Sequence, residues 1–319
     1  MSASSSTSGS ERRPRLAITV GDPRGIGPEI VRAALADPAV AALVDPVVVG
    51  PTGAGLSPGV VIGEWRADAG VAAAGRLAGL AVETAARLAL AGDVEGIVTA
   101  PLDKAALLAG GYDYPGHTEM LAALTGRDVA MMLASPGTAD THPLRVILAT
   151  THLPLREVAD AVTGDAIGRA ARVTREYLTR WFGVREPRIA LCALNPHAGD
   201  GGRFGSEDDR VLAPAARAND LLGPFPADTV FVRALRGAFD AVIAPYHDVG
   251  MTAIKVASFG SAVNVTLGLP FPRCSPDHGT ALDIAGRGLA DPASFKAALR
   301  LCAGIARRVA PGAAPAPTA

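Results

Sequence analysis

A series of short aliphatic runs, separated by helical patterns, constrains the fold of this chain more than any other feature. The runs carry almost no polar alternation, which is typical of strands that are buried on both faces of a sheet. They are Leu16–Val20, Val47–Val49, Gly96–Thr99, Arg145–Ala149, Arg188–Leu194, Asp240–Ala244 and Ala262–Leu267. Alternation of such strands with helices predicts an α/β fold with largely parallel sheets.

Several segments between these runs have the apolar spacing of helices. Pro28–Asp37 begins with proline in a first-turn position, where its missing N–H costs nothing, and Glu29 follows it near the positive end of the helix dipole. Residues 71–91, 166–182 and 292–309 show the same helical periodicity over longer stretches. The sequence therefore predicts helices that cover a buried sheet.

Charge and length exclude several classes of protein. The chain has 319 residues, with 30 Lys+Arg against 31 Asp+Glu, so it has no electrostatic footprint for nucleic acid or an anionic membrane. Its length favours about two domains. Cys192, Cys274 and Cys302 are widely spaced and typical of buried thiols in a reducing compartment. The Ser-rich start lacks the apolar segment of a signal peptide, so we expect a soluble, cytoplasmic protein.

Three histidines occupy the same position relative to the predicted strands. His152, His197 and His247 each follow the end of a different aliphatic run by three residues. Ligands of open α/β sheets bind at the carboxyl ends of strands. Neutral imidazole is the commonest protein ligand of zinc, and three protein ligands leave one position open for substrate. The pattern indicates a metal site, although three unrelated structural histidines remain the alternative on spacing alone.

Other polar groups follow the predicted strands. Residues 21–29 form a glycine-rich turn that lacks the Lys-Ser/Thr of a P-loop, so it is either a tight turn before a helix or a ligand-facing loop. Lys104 follows another strand, and we expect it at the same sheet edge as the histidines. Lys255, Asn264 and Arg273 are spaced along the last strand region. They suit a phosphate or carboxylate, with ordinary surface charge as the alternative.

Long motifs in a fixed order resemble the 4-hydroxythreonine-4-phosphate dehydrogenase family, which includes dehydrogenases of phosphorylated threonate or erythronate and of terephthalate dihydrodiols. The motifs span about residues 16–300. They are GDPRGIGPE (21–29), TAPLDKAAL (99–107), YPGHTEMLA (114–122), MMLASP (131–136), TTHLPL (150–155), LNPHAGDGGRFGSED (194–208), GPFPADT (223–229), APYHDVGMTAIK (244–255) and NVTLGLPFPRCSPDHGTALDIAG (264–286).

The resemblance implies a two-domain fold similar to isocitrate and isopropylmalate dehydrogenases, with a cleft between the domains. Residues 15–125 and 262–310 would form the first, cofactor-side domain. Residues 126–261 would form the second, with the metal site and the dimer interface. Residues 1–14 and 311–319 are expected to be disordered tails.

The resemblance also assigns site residues. The divalent-metal ligands would be His152, His197 and His247, with His247 arriving from the partner subunit of a homodimer. The substrate contacts would be His117, Thr118, Lys255, Asn264 and Arg273. The cofactor stretch would include His278, Gly279, Thr280 and Asp283. Asp283 would accept hydrogen bonds from the 2′-hydroxyl of the adenosine ribose, which favours NAD over NADP.

The implied reaction is the NAD-dependent oxidation of a β-hydroxy acid, followed by decarboxylation. One divalent metal per site, zinc by ligand softness with Mg, Co or Mn as alternatives, would polarise the hydroxyl. Asp248 is expected to be a base or a carboxylate that supports His247, and Lys104 an acid. A three-histidine zinc hydrolase and a non-catalytic protein that binds phosphorylated metabolites remain the alternatives.

Three departures from the family pattern lie near the expected cleft. The segment at residues 50–70 is a shortened substitute for a longer helix and strand. The loop Ser135–His142 is longer than usual. Arg24 stands in the first turn, where the family generally has a small residue. These departures bear on the choice of substrate.

Overall fold

Eleven strands form one mixed sheet in a computed structural model that describes residues 12–258 and 260–309. The strands are β1 Arg15–Thr19, β2 Asp45–Thr52, β3 Val60–Glu64, β4 Gly96–Thr99, β5 Ala130–Ser135, β6 Leu144–Leu148, β7 Ile189–Cys192, β8 Leu222–Phe225, β9 Ala241–Ala244, β10 Val263–Leu267 and β11 Arg273–Pro276. Their order across the sheet is β3-β2-β1-β4-β11-β10-β5-β6-β9-β7-β8.

The helices lie between these strands along the chain. They are α1 Gly27–Leu35, α2 Pro38–Ala41, α3 Gly70–Ala91, α4 Lys104–Ala109, α5 His117–Thr125, α6 Leu155–Ala161, α7 Gly164–Phe182, α8 Ala213–Ala218, α9 Ala227–Leu235, α10 His247–Ser258 and α11 Ala293–Val309. A short turn at Pro196–Gly199, with left-handed backbone at His197 and Ala198, and a π-helical turn at Asp208–Leu212 precede α8.

The prediction of an α/β fold with a largely parallel sheet is confirmed. All the aliphatic runs form strands, and the interior strands β4, β7 and β9 are buried along their whole length. Four strands escaped the sequence pattern, for reasons visible in their composition. β8 contains a Gly-Pro pair, β11 begins with an arginine, β3 is a largely exposed edge strand and β5 is rich in methionine.

The pairing reverses direction near the middle of the sheet. β10 is antiparallel to both β11 and β5, and β5 is antiparallel to β6, whereas the other neighbours are parallel. As a result β6, β9 and β7 run opposite to β4. The boundary between two groups of strands falls between β10 and β5. The strands of residues 15–125 and 262–310 lie on the β10 side, and those of residues 126–261 lie on the β5 side. The division into two domains stays a prediction, and its expected tails lie almost wholly outside the described residues.

One hydrophobic core crosses the boundary between the two groups of strands. It joins Leu16 of β1 to Trp181 of α7 and Phe295 of α11, all of them almost fully buried. Tyr177 packs edge-on against the Trp181 ring at 4.5 Å and donates a hydrogen bond from its hydroxyl to the carbonyl oxygen of Leu269. The helices α7 and α11 therefore bind the two groups of strands together on one face of the sheet.

The departures from the family pattern keep ordered structure. The shortened segment at residues 50–70 still contributes the edge strand β3, which pairs parallel to β2. The longer loop is closed by a bridge between Thr138 and Thr141. In the described part of the chain, no helix is both long and apolar enough to cross a membrane.

Two helical glycines provide a test of helix packing. A Cβ atom at Gly75 in α3 would lie 1.6 Å from the carbonyl oxygen of Ala106, whereas at Gly304 in α11 it would meet nothing within 4 Å. Because overpacking against backbone forces the helices apart, we expect Gly75→Ala to lower the free energy of unfolding by about 3 kcal/mol. Gly304→Ala should raise it by about 0.5–1 kcal/mol through helix propensity. Urea denaturation of both variants measures the difference, and equal stabilities would contradict the close approach of α3 and α4.

Candidate active site

A cavity of about 980 Å³ gathers most of the residues that the sequence assigned to the site. The residues that line it belong to both groups of strands. They include Lys104, His117, Thr118, His152, His247, Asn264, Arg273, His278 and Gly279. The lining does not include the other expected residues, which are His197, Asp248, Lys255, Thr280 and Asp283.

Arg273 is the most unusual group in the cavity wall. It begins β11 and is only 2% exposed. Its guanidinium donates hydrogen bonds to the hydroxyls of Thr266 at 3.1 Å and Thr99 at 2.6 Å, while its buried Nε has no partner. In the described chain no carboxylate lies within ion-pairing distance of it. Burial lowers the pKa of Arg273 to about 10, so the group still carries its charge at neutral pH.

Three further buried polar atoms lie unpaired in the same wall. They are Nε2 of His117, the first residue of α5, the side-chain oxygen of Asn264 on β10, and Nε2 of His278. Burial, and secondarily the charge of Arg273, holds the pKa of His117 well below its usual range, so its imidazole is neutral. Buried polar groups normally have hydrogen-bond partners. The unpaired set indicates a site for a polar, anionic ligand.

Two of the predicted metal ligands lie side by side. The rings of His152 and His247 have centroids 5.4 Å apart. Burial lowers the pKa of His152, with further contributions from Lys104 and His247, so the neutral, ligating form dominates at pH 7. The Nδ1–H of His247 donates to the carboxylate of Asp248 at 2.6 Å, which leaves Nε2 free to bind a ligand. This contact favours Asp248 as a support for His247, and its side chain is otherwise largely exposed.

His197 does not lie beside His152 and His247. This is so although β7, the strand before His197, is adjacent to β9, the strand before His247. β6, β9 and β7 are adjacent and parallel, so the three histidines follow the same edge of the sheet. Within the described residues, however, no three His, Cys, Asp or Glu side chains come together as a metal site. The ring of His197 lies near that of Phe204, with centroids 6.3 Å apart. Every residue from 197 to 202 has a positive φ, between 44° and 90°.

Lys104 reaches the cavity from the opposite direction to the histidines. The expectation that it shares their sheet edge is wrong, because β4 runs opposite to β6 and β9. It is the first residue of α4, whose N-terminus is capped by Asp103, which accepts from the backbone N–H of Ala106 at 2.7 Å. Lys104 and His152 both line the cavity, and after burial the charge of Lys104 is the next cause of the lowered pKa of His152.

The cofactor stretch is supported by the glycine-rich turn after β1. The backbone N–H of Ile26 donates to the carbonyl oxygen of Thr280 at 2.9 Å, and a Cβ at Gly25 would lie 2.7 Å from that oxygen. The carboxylate of Glu29 accepts from the N–H of Gly286 at 3.0 Å. The turn therefore begins a helix and also shapes the stretch expected to bind the cofactor. Asp283 lies on the exposed side of that stretch.

Arg24, the residue of the first turn that departs from the family pattern, takes part in an ion pair. Its guanidinium donates to both carboxylate oxygens of Asp22, at 3.0 and 2.6 Å, and lies 3.6 Å from Asp103. Asp22 is fully buried, and its charge raises the pKa of Arg24 through their hydrogen bonds. Arg24 therefore links the turn after β1 to the start of α4.

Sequence reasoning missed several charged residues of the cavity wall. Glu119 follows the expected substrate contacts on α5, and Arg169 lies on α7. Asp277 precedes the cofactor stretch, and its carboxylate lies 3.8 Å from Nζ of Lys255. Asp277 and Glu119 lie within the family motifs, each next to a residue that the sequence assigns to the site. This adjacency is the signal that could have identified them. Arg169 interrupts an apolar helical face and carries no such signal.

Comparison with known proteins decides the family. The family model described as "Pyridoxal phosphate biosynthetic protein PdxA" matches residues 51–302, which is most of the chain. The chain belongs to the PdxA family. A 4-hydroxythreonine-4-phosphate dehydrogenase of Stenotrophomonas maltophilia is 44% identical over 330 residues, covering 93% of this chain and 98% of the relative.

Solved structures agree with the PdxA assignment. A 4-hydroxythreonine-4-phosphate dehydrogenase from Klebsiella pneumoniae matches with a TM-score of 0.79 and 40% identity, covering 92% of this chain and 99% of the other. A terephthalate 1,2-cis-dihydrodiol dehydrogenase from Burkholderia xenovorans matches with a TM-score of 0.61 and 30% identity, covering 92% and 98%. Membership in this family supports an oxidoreductase, and the hydrolase and non-catalytic alternatives find no support.

The left-handed backbone of the loop at 197–202 makes a stability prediction. Ala198 has φ 55° and ψ 42°, a conformation that costs a non-glycine residue about 1–2 kcal/mol. We expect Ala198→Gly to raise the free energy of unfolding by about 1 kcal/mol, because glycine removes that strain. The matched change Ala297→Gly, in the middle of α11, should lower it by about 1 kcal/mol. Thermal denaturation compares them, and a loss of stability in both variants would rule out the left-handed turn.

Proposed function

We propose that this PdxA-family chain oxidises 4-hydroxythreonine-4-phosphate, or a closely related phosphorylated β-hydroxy acid, with NAD and a divalent metal, and that decarboxylation follows. The observation that carries the proposal is the buried Arg273, whose charge has no carboxylate partner in the described chain. A buried cation needs a compensating anion. A phosphate or carboxylate of the substrate would satisfy Arg273 and the free Nε2 of His117.

The donor set fits a divalent metal in its chemistry. His152 and His247 present imidazole rings within one cavity, and the hydrogen bond of Asp248 to Nδ1 of His247 leaves Nε2 available. A divalent cation, when bound, supplies Lewis-acid polarisation of the substrate hydroxyl. Zinc suits histidine ligands best, with Co, Mn and Mg as further possibilities.

The third histidine leads us to propose a homodimer. The cavity of a single chain contains His152 and His247 but not His197. A three-histidine set is completed if side chains of two copies meet at each site. The family resemblance gives His247 to the partner, whereas here His247 lies beside His152 within one chain, so in this arrangement the partner copy would supply His197. The three cysteines are free and buried, which fits a cytoplasmic enzyme.

Different residues of the chain would then bind the substrate and transfer protons. Arg273, His117, Thr118 and Asn264 hold the substrate's anionic and polar groups, with Lys255 as a further cation that Asp277 neutralises in the free chain. Lys104 faces the cavity and carries protons between the substrate and solvent. NAD, held by the stretch that includes His278, Gly279, Thr280 and Asp283, would supply the hydride acceptor for the hydroxyl-bearing carbon, and the hydroxyl proton would leave through Lys104. The carbon–carbon bond to the carboxylate then breaks, and CO2 leaves an enolate that takes up a proton.

Anion binding by Arg273 is tested with 4-hydroxythreonine-4-phosphate, NAD and Zn²⁺ or Mn²⁺. We expect NADH to form, and Arg273→Met to lower kcat/KM on the order of 100-fold, because charge-assisted hydrogen bonds are each worth about 1.5–3 kcal/mol. Arg172→Met, at an exposed position on α7, is the control and should match the parent. Absorbance at 340 nm measures the rate. Phosphorylated threonate, phosphorylated erythronate and the terephthalate dihydrodiol complete the panel, and no NADH with any of them would refute the proposal.

Cofactor choice is tested at Asp283. A carboxylate that accepts hydrogen bonds from the ribose 2′-hydroxyl also repels the 2′-phosphate of NADP. We expect Asp283→Ser to raise KM for NAD about tenfold, equivalent to about 1.4 kcal/mol, and to narrow the preference for NAD over NADP. Asp291→Ser, an exposed change further along the chain, is the control. An unchanged NAD/NADP ratio in Asp283→Ser would remove Asp283 from the cofactor site.

A further inference from the structure

A buried carboxylate lies at the base of the loop that carries His197. Asp208 is only 1% exposed, and no cation of the described chain pairs with it. Its oxygens accept hydrogen bonds from the backbone N–H of Leu194 at 2.8 Å, the backbone N–H of Asn195 at 3.0 Å and the Asn195 side-chain amide at 3.0 Å. A charge buried in this way persists only because donors surround it.

These contacts join the two ends of the loop. Leu194 and Asn195 are the last residues before the loop, and Asp208 lies just beyond it. A second carboxylate, Glu207, accepts from the Asn195 amide at 2.8 Å. Gly205 permits the closure, because a Cβ there would lie 2.6 Å from both the Asn195 amide nitrogen and the Glu207 carboxylate. We call Asn195, Glu207 and Asp208 the carboxylate clamp.

Inside the carboxylate clamp the backbone is held in an unfavourable conformation. Glycines occupy positions 199, 201 and 202, but His197, Ala198 and Asp200 also have φ between 44° and 55°. Non-glycine residues keep such a conformation only where the surrounding structure imposes it. Hydrogen bonds to an ionised acceptor are roughly twice as strong as neutral ones, so the clamp is the element able to impose it.

The direction of the His197 side chain depends on this backbone. Its imidazole has no hydrogen-bond partner in the described chain, and its recorded ring contact, Phe204, is itself 48% exposed. In contrast, His247 is oriented by a side-chain carboxylate. His197 therefore lacks the direct support that ligating histidines usually have, and the loop backbone must supply it.

We propose that Asp208 is a positioning residue for the metal site, which fixes the left-handed turn at 197–202 and so the direction from which His197 reaches the metal. The proposal rests on the metal dependence put forward under the proposed function. It assigns a role to a residue that does not contact the metal or the substrate itself.

Metal affinity, measured apart from activity, tests the proposal. Titration of the metal-free full-length protein with Co²⁺ is followed by calorimetry and by the visible absorption of bound Co²⁺. We expect Asp208→Asn to weaken Co²⁺ binding about 10- to 100-fold, the usual effect of losing an outer partner of a ligand, and to alter the absorption spectrum. Asp209→Asn removes the same charge from the exposed neighbouring residue and should leave both unchanged. His197→Ala sets the scale for loss of the ligand.

The outcomes separate the two proposals. If His197→Ala weakens Co²⁺ binding and Asp208→Asn binds like the parent, the role of Asp208 is refuted while the metal site stands. If His197→Ala itself binds Co²⁺ normally, the metal role of His197 fails, and the role of Asp208 fails with it. Equal weakening in Asp208→Asn and Asp209→Asn would reduce the effect to general electrostatics and would also refute positioning.

A second variant covers the case in which Asp208→Asn does not fold. Asn195→Ala removes the side chain that joins the two carboxylates and leaves the backbone hydrogen bonds to Asp208 in place. We expect a several-fold loss of Co²⁺ affinity with a melting temperature close to that of the parent. Parental affinity in a folded Asn195→Ala protein would overturn the proposal.

Discussion

The site is organised around a guanidinium that the fold buries without a carboxylate. Arg273 lies where β11 meets β4 and β10, and threonine hydroxyls from both neighbours, Thr99 and Thr266, hold its two terminal nitrogens. Neutral hydroxyls orient the charge without cancelling it. The remaining attraction is directed into the cavity, beside His117 and Asn264. Binding an anion there completes an electrostatic balance that the folded chain leaves open.

Much of the fold could be predicted because its interior strands are short and purely aliphatic. The sequences of β4, β7 and β9 directly predict buried strands. The apolar spacing near the end of the described chain likewise predicts helix α11. The reversal around β5 and β10 could not be predicted, because a fully buried strand has the same composition in either direction. The misplacement of Lys104 follows from this. The expectation that it shares the histidines' edge holds only if all strands run the same way.

The positions of some site residues follow from the local sequence, whereas those of others depend on contacts between residues far apart in the chain. His152 and His247 could be placed together from the sequence, since each follows a parallel neighbouring strand by the same spacing. His197 has that spacing too, but the left-handed turn after β7 directs it elsewhere in the single chain. Turn geometry of this kind depends on Asp208, which lies eleven positions further along, at the end of the same motif, and its residue type does not show which backbone groups it contacts. The sequence marks Arg24 as a departure from the family pattern, but its ion pair with the buried Asp22 depends on the folded turn.

The central pairing of the sheet also governs when the site can exist during synthesis. β4 pairs with β11 and β5 pairs with β10, so strands from the first half of the chain wait for partners from its last fifth. Until residues 262–276 leave the ribosome, β4 presents an unpaired aliphatic edge, which is a known hazard for association with other chains. Arg273 arrives with that final segment. The anion site proposed at Arg273 is therefore completed in the same event that pairs the open edge of β4.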